Sequence, residues 1–377
     1  MTKKVLFCID SLNGGGAEKV LIDILNKINN KYDITLFLIY NNGVYLDNLP
    51  KNVRVSYMVN TKNLFLLKNK FLIKFLEKMI DIFFRKIPSK LLYKLLIRNK
   101  FEVEIAFLEG KSTKLISGSK QTSKKIAWVH TNLKSHHWTK SLYKSINDEK
   151  MHYNYFNDVI FVSKDSMEGY LDIFNMEKNN KLKVIYNPID DKNIKDKAIK
   201  GEKKYKNFTI CSVGRLGHEK GFDRLIKAHA RLISDGIFHN LIIIGDGVEK
   251  NSLIKLCQEL GVRKTVQLLG FKKNPYKYTK NANLFVCSSR AEGYSLALAE
   301  AMILGLPVLS TSCGGTKEIL AAGKYGFLVG NSEDDIYNGI KTLLLNGQKL
   351  EYLKKMSVLR SQDFKIESAL GQIEKLI

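Results

Sequence analysis

Leu284-Phe285-Val286-Cys287-Ser288-Ser289-Arg290-Ala291-Glu292-Gly293-Tyr294-Ser295-Leu296-Ala297-Leu298-Ala299-Glu300 reads as a strand, a polar loop and the start of a helix. The apolar run 284–287 suits a buried strand, Gly293 lets the loop turn sharply, and Ser295 is placed to cap a helix over 296–304. A helix start carries unpaired N–H groups and about half a positive charge, so residues 295–297 suit an anion such as a diphosphate. Glu292 precedes the helix and Glu300 lies about one and a half turns inside it, so the two flank that anion in different roles. Glu292 can reach sugar hydroxyls and Glu300 a ribose. The bare spacing also fits a solvated helix carboxylate near a loop carboxylate.

Outward from this stretch the chain alternates short apolar strands with helical patterns, which predicts an α/β, doubly wound architecture. At 377 residues it exceeds one ordinary core and implies two domains. Strand 5–9, helix 16–29 and strand 34–39 open the first, and strands near 103–107, 126–129, 159–162 and 183–186 continue it. After a Lys-rich, loose segment from Asp191 to Asn207, a second cycle runs through strand 208–213, helix 221–234, strand 240–244, helix 249–260 and strand 265–269. The expected domains are 1–195, with a basic amphipathic insert at 62–100, and 206–360, followed by a helix at 361–377.

Strand ends are where open α/β sheets place ligand-binding groups. The first strand leads into Asn13-Gly14-Gly15-Gly16-Ala17-Glu18, whose glycines let backbone approach a ligand. A nicotinamide fingerprint fails there, because Lys19 stands where the third glycine belongs and the second strand ends in Tyr40-Asn41 rather than an acid. Val213-Gly214-Arg215-Leu216-Gly217-His218-Glu219-Lys220-Gly221 sets Arg215 and Lys220 to converge on one diphosphate. His130 follows the strand Ala127-Trp128-Val129, with capping or core packing as its bland alternative, and Glu109-Gly110 occupy another strand end.

The Glu-to-Glu spacing, the run Gly293-Tyr294-Ser295-Leu296 and the continuation Ala301-Met302-x-x-Gly305-x-Pro307-Val308 together resemble the retaining GT-B glycosyltransferases of family 4, the glycosyl transferases group 1. The resemblance extends to Gly15-Gly16, Arg215 and Lys220 and covers nearly the whole chain. It implies two Rossmann-like domains facing a cleft, the first for acceptor and the second for nucleotide sugar, with the final helix crossing back. His130 and Glu292 become the catalytic residues. Gly15, Gly16, Arg215, Lys220, Gly293, Tyr294, Ser295, Leu296 and Glu300 become substrate-binding residues. The implied reaction moves a hexose or N-acetylhexosamine from a nucleotide sugar, with UDP the favoured carrier, to a lipid-linked or polysaccharide-precursor acceptor with retention of configuration. The nucleotide sugar is a substrate and no cofactor is expected. No Asp-x-Asp occurs, so no metal is expected either, the cations at the diphosphate taking its place. The rival classes are a nucleotide-sugar 2-epimerase of the same fold and a non-catalytic polyanion-binding protein.

A net charge of +24, from 61 Lys and Arg against 37 Asp and Glu, concentrates polyanions. Within 62–100, Lys70, Lys74, Lys78, Arg85, Lys86, Lys90, Lys94 and Arg98 interleave with Phe65, Leu67, Phe71, Phe75, Phe84 and Leu92, a cationic amphipathic pair of helices broken near Pro88. That pattern suits an anionic membrane surface, or an apolar face packed on the sheet with solvated lysines. No nucleic-acid motif accompanies the charge, so nucleic acid is not an expected partner. No apolar run reaches membrane-spanning length, Val5–Ile9 is too short for a signal peptide, and the cysteines are scattered. The expected setting is the cytoplasm, peripherally at the inner face of the plasma membrane.

Overall fold

The computed structural model describes residues 2–61, 70–120 and 122–377. They form two compact units, Met1–Pro188 with Ser368–Ile377, and Ile189–Glu367. Unit 1 runs β1 (Lys4–Ile9), α1 (Gly16–Ile28), β2 (Asp33–Tyr40), β3 (Arg54–Val59), α2 (Lys70–Lys86), α3 (Ser89–Leu96), β4 (Val103–Ala106), α4 (Lys111–Ser117), β5 (Lys124–Val129), α5 (Ile146–Tyr153), β6 (Asp158–Phe161), α6 (Lys164–Phe174) and β7 (Leu182–Val184). Its strands lie in the order β3-β2-β1-β4-β5-β6-β7, all parallel. Parallel strands are covered on both faces, which is why β1, β4 and β6 are near-continuous apolar runs. β3 escaped the sequence reading because it is an edge strand whose Val55 and Tyr57 are exposed.

Unit 2 runs α7 (Asp191–Ile199), β8 (Thr209–Val213), α8 (Phe222–Ser234), β9 (Asn240–Ile244), α9 (Lys250–Glu259), β10 (Val266–Leu268), α10 (Tyr276–Thr279), β11 (Leu284–Cys287), α11 (Leu296–Ile303), β12 (Val308–Thr311), α12 (Gly314–Ile319), β13 (Phe327–Val329), α13 (Glu333–Leu344) and α14 (Gly347–Ser361). Its parallel sheet has the order β10-β9-β8-β11-β12-β13. In each sheet the order reverses at one strand pair, β1 with β4 and β8 with β11, and the loops leaving their carboxyl ends carry the site residues read from the sequence except His130, which follows the neighbouring β5.

The segment expected to be loose starts instead with a helix. Asp190 accepts a hydrogen bond from the Asn193 N–H at 3.0 Å and caps α7, while Ile194 and Ala198, four apart, bury its inner face. The lysines between them are on the other face, and they masked that periodicity. The last helix, α15 (Ile366–Leu376), returns to unit 1, where Lys31 pairs with Glu374 at 2.6 Å and Lys3 donates to the Ile377 carbonyl at 2.8 Å.

The basic insert forms α2 and α3, broken at Pro88 as expected. Ile80, Phe84, Leu92 and Tyr93 are buried in the core of unit 1, yet Phe75, Met79, Ile82, Leu91 and Leu95 remain exposed. Residues 62–69, with Phe65 and Leu67, and the side chains of Lys70, Phe71 and Lys74 lie outside the described residues. Among the described residues no helix is long and apolar enough to cross a membrane. All five cysteines are buried free thiols.

Candidate active site

In unit 2 the loops after β8 and β11 meet at one ion pair. Lys220 Nζ lies 2.6 Å from Glu292 Oε1, and Ser289 Oγ donates to the same oxygen at 2.7 Å. Only 8 % of the Glu292 side chain and 23 % of that of Lys220 are exposed. Burial works against the Lys220 ammonium, but the charge and hydrogen bond of Glu292 more than offset it and hold Lys220 above the usual lysine range. A partly dry, permanently charged lysine is a strong anion partner.

Arg215 does not join this pair. It sits at the surface, 73 % exposed, with its guanidinium 3.0 Å from Glu219 Oε1. Ser295 occupies the N-cap position of α11, but its hydroxyl makes no capping bond; it is buried and lies 3.7 Å from Cys287 Sγ on β11. The serine cap expected from the sequence is therefore absent, and the first-turn N–H groups of α11 keep no side-chain acceptor of their own helix. Glu300 lies deeper, 8 % exposed, accepting from the Tyr276 hydroxyl at 3.0 Å.

Two glycines permit this convergence. Gly221, between Lys220 and α8, has φ 64°, and a Cβ there would stand 2.2 Å from the Ser288 carbonyl oxygen. At Gly315 a Cβ would stand 2.2 Å from the Gly293 carbonyl oxygen, while its N–H donates to the Glu292 carbonyl at 3.1 Å. Arg290 forks onto both oxygens of Asp223 at 2.7 Å and fastens the β11 loop to α8. Sequence reasoning singled out neither Gly315, Ser289, Tyr276 nor the Arg290–Asp223 clamp. Cys313-Gly314-Gly315-Thr316, glycines between a strand and a helix, was the one local signal available.

Unit 1 brings together a second set. Gly14 has φ 102°, Gly15 caps α1 and Gly16 opens it. Glu109, fully buried, accepts from the His130 backbone N–H at 2.9 Å, the Thr131 hydroxyl at 2.6 Å and the Trp138 indole N–H at 3.1 Å. Burial pushes the Glu109 carboxyl up, against the pull of those donors. The His130 ring lies 5.1 Å from that of Phe107. Burial pushes its imidazole down to about 3, so it is neutral near pH 7, and its Nε2 has no hydrogen-bond partner among the described residues. A neutral imidazole with one unengaged nitrogen can accept a hydrogen bond from a hydroxyl.

Residues 191–358 match the family model of the glycosyl transferases group 1. Over the full length of both chains the sequence is 29 % identical to the N-acetylgalactosamine-N,N'-diacetylbacillosaminyl-diphospho-undecaprenol 4-alpha-N-acetylgalactosaminyltransferase of Campylobacter jejuni. The family match places residues 191–358 with the group 1 glycosyl transferases. The chain is also 33 % identical to an uncharacterized glycosyltransferase of Methanocaldococcus jannaschii over 55 % of this chain and 56 % of that one. Among solved structures, Anabaena HepE in complex with UDP and glucose superposes with a TM-score of 0.76 at 20 % identity, covering 99 % of this chain and 98 % of that one. The expected α/β, GT-B architecture thus holds, and the activity is that of a glycosyltransferase.

Proposed function

We propose that this enzyme moves a hexose or N-acetylhexosamine from a UDP-sugar to a hydroxyl of a lipid-linked or polysaccharide-precursor glycan, with retention of configuration. The Lys220–Glu292 pair beside the uncapped start of α11 carries this reading. A diphosphate arriving there replaces Glu292 as the partner of Lys220 and lies against the first-turn N–H groups of the helix, which releases Glu292 toward the hydroxyls of the sugar. Arg215 adds charge from the rim, Gly293, Tyr294 and Leu296 supply backbone at the diphosphate, and Glu300 binds the ribose.

In a same-face displacement the bond from the anomeric carbon to the diphosphate breaks as the acceptor oxygen bonds to that carbon. The acceptor proton passes to the departing phosphate oxygen. The positive charge of Lys220 grows in worth as negative charge develops on that leaving group. Unit 1 has the acceptor role, with His130 as its catalytic group and Gly15 and Gly16 as close-approach backbone. The Campylobacter relative, by its name, uses a diphospho-undecaprenol-linked acceptor, and HepE was solved with UDP and glucose, which supports both halves of the proposal. The exposed apolar and basic residues of α2 and α3 then hold the enzyme reversibly at the inner face of the plasma membrane, at about 1 kcal/mol for each cation near an anionic leaflet.

The test is thermal stabilisation by a panel of UDP-, GDP-, ADP- and CMP-sugars, with Lys220→Ala alongside and the wild type sedimented with anionic vesicles. One UDP-sugar should stabilise the wild type and leave the variant unmoved. Equal stabilisation of both proteins, or none by any UDP-sugar, sinks the donor assignment, and failure to sediment sinks the membrane part.

A further inference from the structure

Unit 1 contains a cavity of about 460 Å³, within the range of small-molecule sites. Its lining includes Arg85 from the last turn of α2, His137, Trp138, Lys140, Lys144 and Glu149. Among the described residues, Arg85, Lys140 and Lys144 have no carboxylate at ion-pair distance, unlike Lys111, Lys183 and Lys220. Glu149, the acid in the wall, is 1 % exposed and engaged at both oxygens, by His137 Nε2 at 2.7 Å and the Thr139 hydroxyl at 2.6 Å. It anchors the wall, and the three cations are left facing the cavity with unspent charge.

The geometry points to this cavity as the seat of the diphosphate group of a prenyl-linked acceptor, a proposal that rests on the lipid-linked acceptor of the reading above. Arg and Lys around a recess suit a diphosphate, the guanidinium by forking and the ammoniums as point charges. The hydrocarbon half has its own surface. Exposed Phe75, Met79 and Ile82 succeed one another on α2 at spacings of one helical turn, and Arg85 continues them into the cavity. A chain lying along that stripe delivers its phosphate end to Arg85. On the far side, Trp138 joins the cavity wall to Glu109 through its 3.1 Å indole bond, and Glu109 holds the backbone N–H of His130. The diphosphate is thus bound two side chains, Trp138 and Glu109, away from the group proposed to act on the acceptor.

Trp138 makes the site visible. The other tryptophan, Trp128, is 1 % exposed in the core, so quenching or a spectral shift on ligand binding reports Trp138. Full-length enzyme is titrated with geranyl diphosphate, inorganic pyrophosphate and geraniol, and the triple variant Arg85→Gln, Lys140→Gln, Lys144→Gln is titrated in parallel. Geranyl diphosphate should saturate the wild-type signal, pyrophosphate should bind more weakly, and the variant should lose on the order of tenfold or more in affinity for geranyl diphosphate, because three charge-assisted contacts are gone. Unchanged affinity in the variant, or no saturable response in the wild type, overturns the site. Pyrophosphate binding as tightly as geranyl diphosphate overturns the prenyl assignment. Stabilisation by UDP is measured on both proteins: retained in the variant, it shows that the variant folds, and absent in the wild type, it counts against the donor reading and leaves this cavity to its own titration.

Discussion

Unit 2 pairs its acids with cations near the surface, whereas unit 1 buries several of its acids among neutral donors. Asp223 is partly buried, which opposes ionisation, but the forked bonds of Arg290 hold its carboxyl below the usual carboxylate range; Glu219 is likewise held down by backbone N–H and Arg215 against its burial. Burial instead raises Glu104 and Glu109 of unit 1. Glu104 is met by the Tyr93 and Ser119 hydroxyls at 2.9 and 3.1 Å. The linkage signs are opposite. Asp223 contributes stability that is present above its unfolded pKa and lost as pH falls through its folded one. Glu109 weakens the fold near neutrality and ceases to do so as pH falls through its raised folded value. Ion pairs that can exchange a carboxylate for a phosphate suit a charged donor, while buried neutral networks fix position and suit an acceptor hydroxyl.

The largest effect that would break this contrast is on transfer itself. Glu292→Gln should cut transfer by on the order of 10²- to 10³-fold while leaving UDP binding intact or tighter, since Lys220 loses its competitor. His130→Ala should cut turnover by about 10²-fold with no change in UDP affinity. Steady-state rates beside UDP titrations decide the matter. A loss of UDP binding in His130→Ala, or of less than tenfold in either rate, would remove the division of labour between the units.

A smaller effect concerns backbone. Gly221→Ala meets both a left-handed φ and the Ser288 carbonyl, whereas Gly236→Ala meets only φ 79° with open space around it. The second should lose about 1–2 kcal/mol and the first visibly more, read as the shift in denaturation midpoint. Equal losses would mean that the close approach at Gly221 carries no weight. A further effect, of similar size, is on pH. His229 bonds His239 at 2.9 Å and Thr265 at 2.9 Å, and burial pushes it down to about 3. Unfolding lets it bind a proton below about 6.5, so stability drawn from it falls between pH 6.5 and 3, by at most about 1.4 kcal/mol per pH unit. His229→Asn should therefore lose less stability than the wild type between pH 7.5 and 5. An equal loss would refute the assignment.

Most strands were legible because a strand buried on both faces must be apolar throughout, as 241–244 and 284–287 are. β3 was not, being exposed, and α7 was not, its Ile194/Ala198 face lying under lysines. Within the site, Lys220 and Glu292 could be named from their loops, since loop glycines and charges at strand ends are local signals. Their bond to each other spans 72 positions, and the Arg290–Asp223 clamp spans 67. Such contacts depend on strand order, which no local pattern encodes. The missing cap at Ser295 has a similar origin: the hydroxyl is drawn back toward Cys287, a neighbour set by packing.

The return of α15 has a consequence for how the protein is made. A ribosome releases the sheet of unit 1 first, but Ser368–Ile377, with Glu374 bound to Lys31, only after all of unit 2 has been synthesised. The half that begins folding earliest is finished last. A nascent chain halted after residue 365 would hold nearly every residue of unit 2 and still lack the strip that completes unit 1, so unit 1 stays provisional until unit 2 has been made.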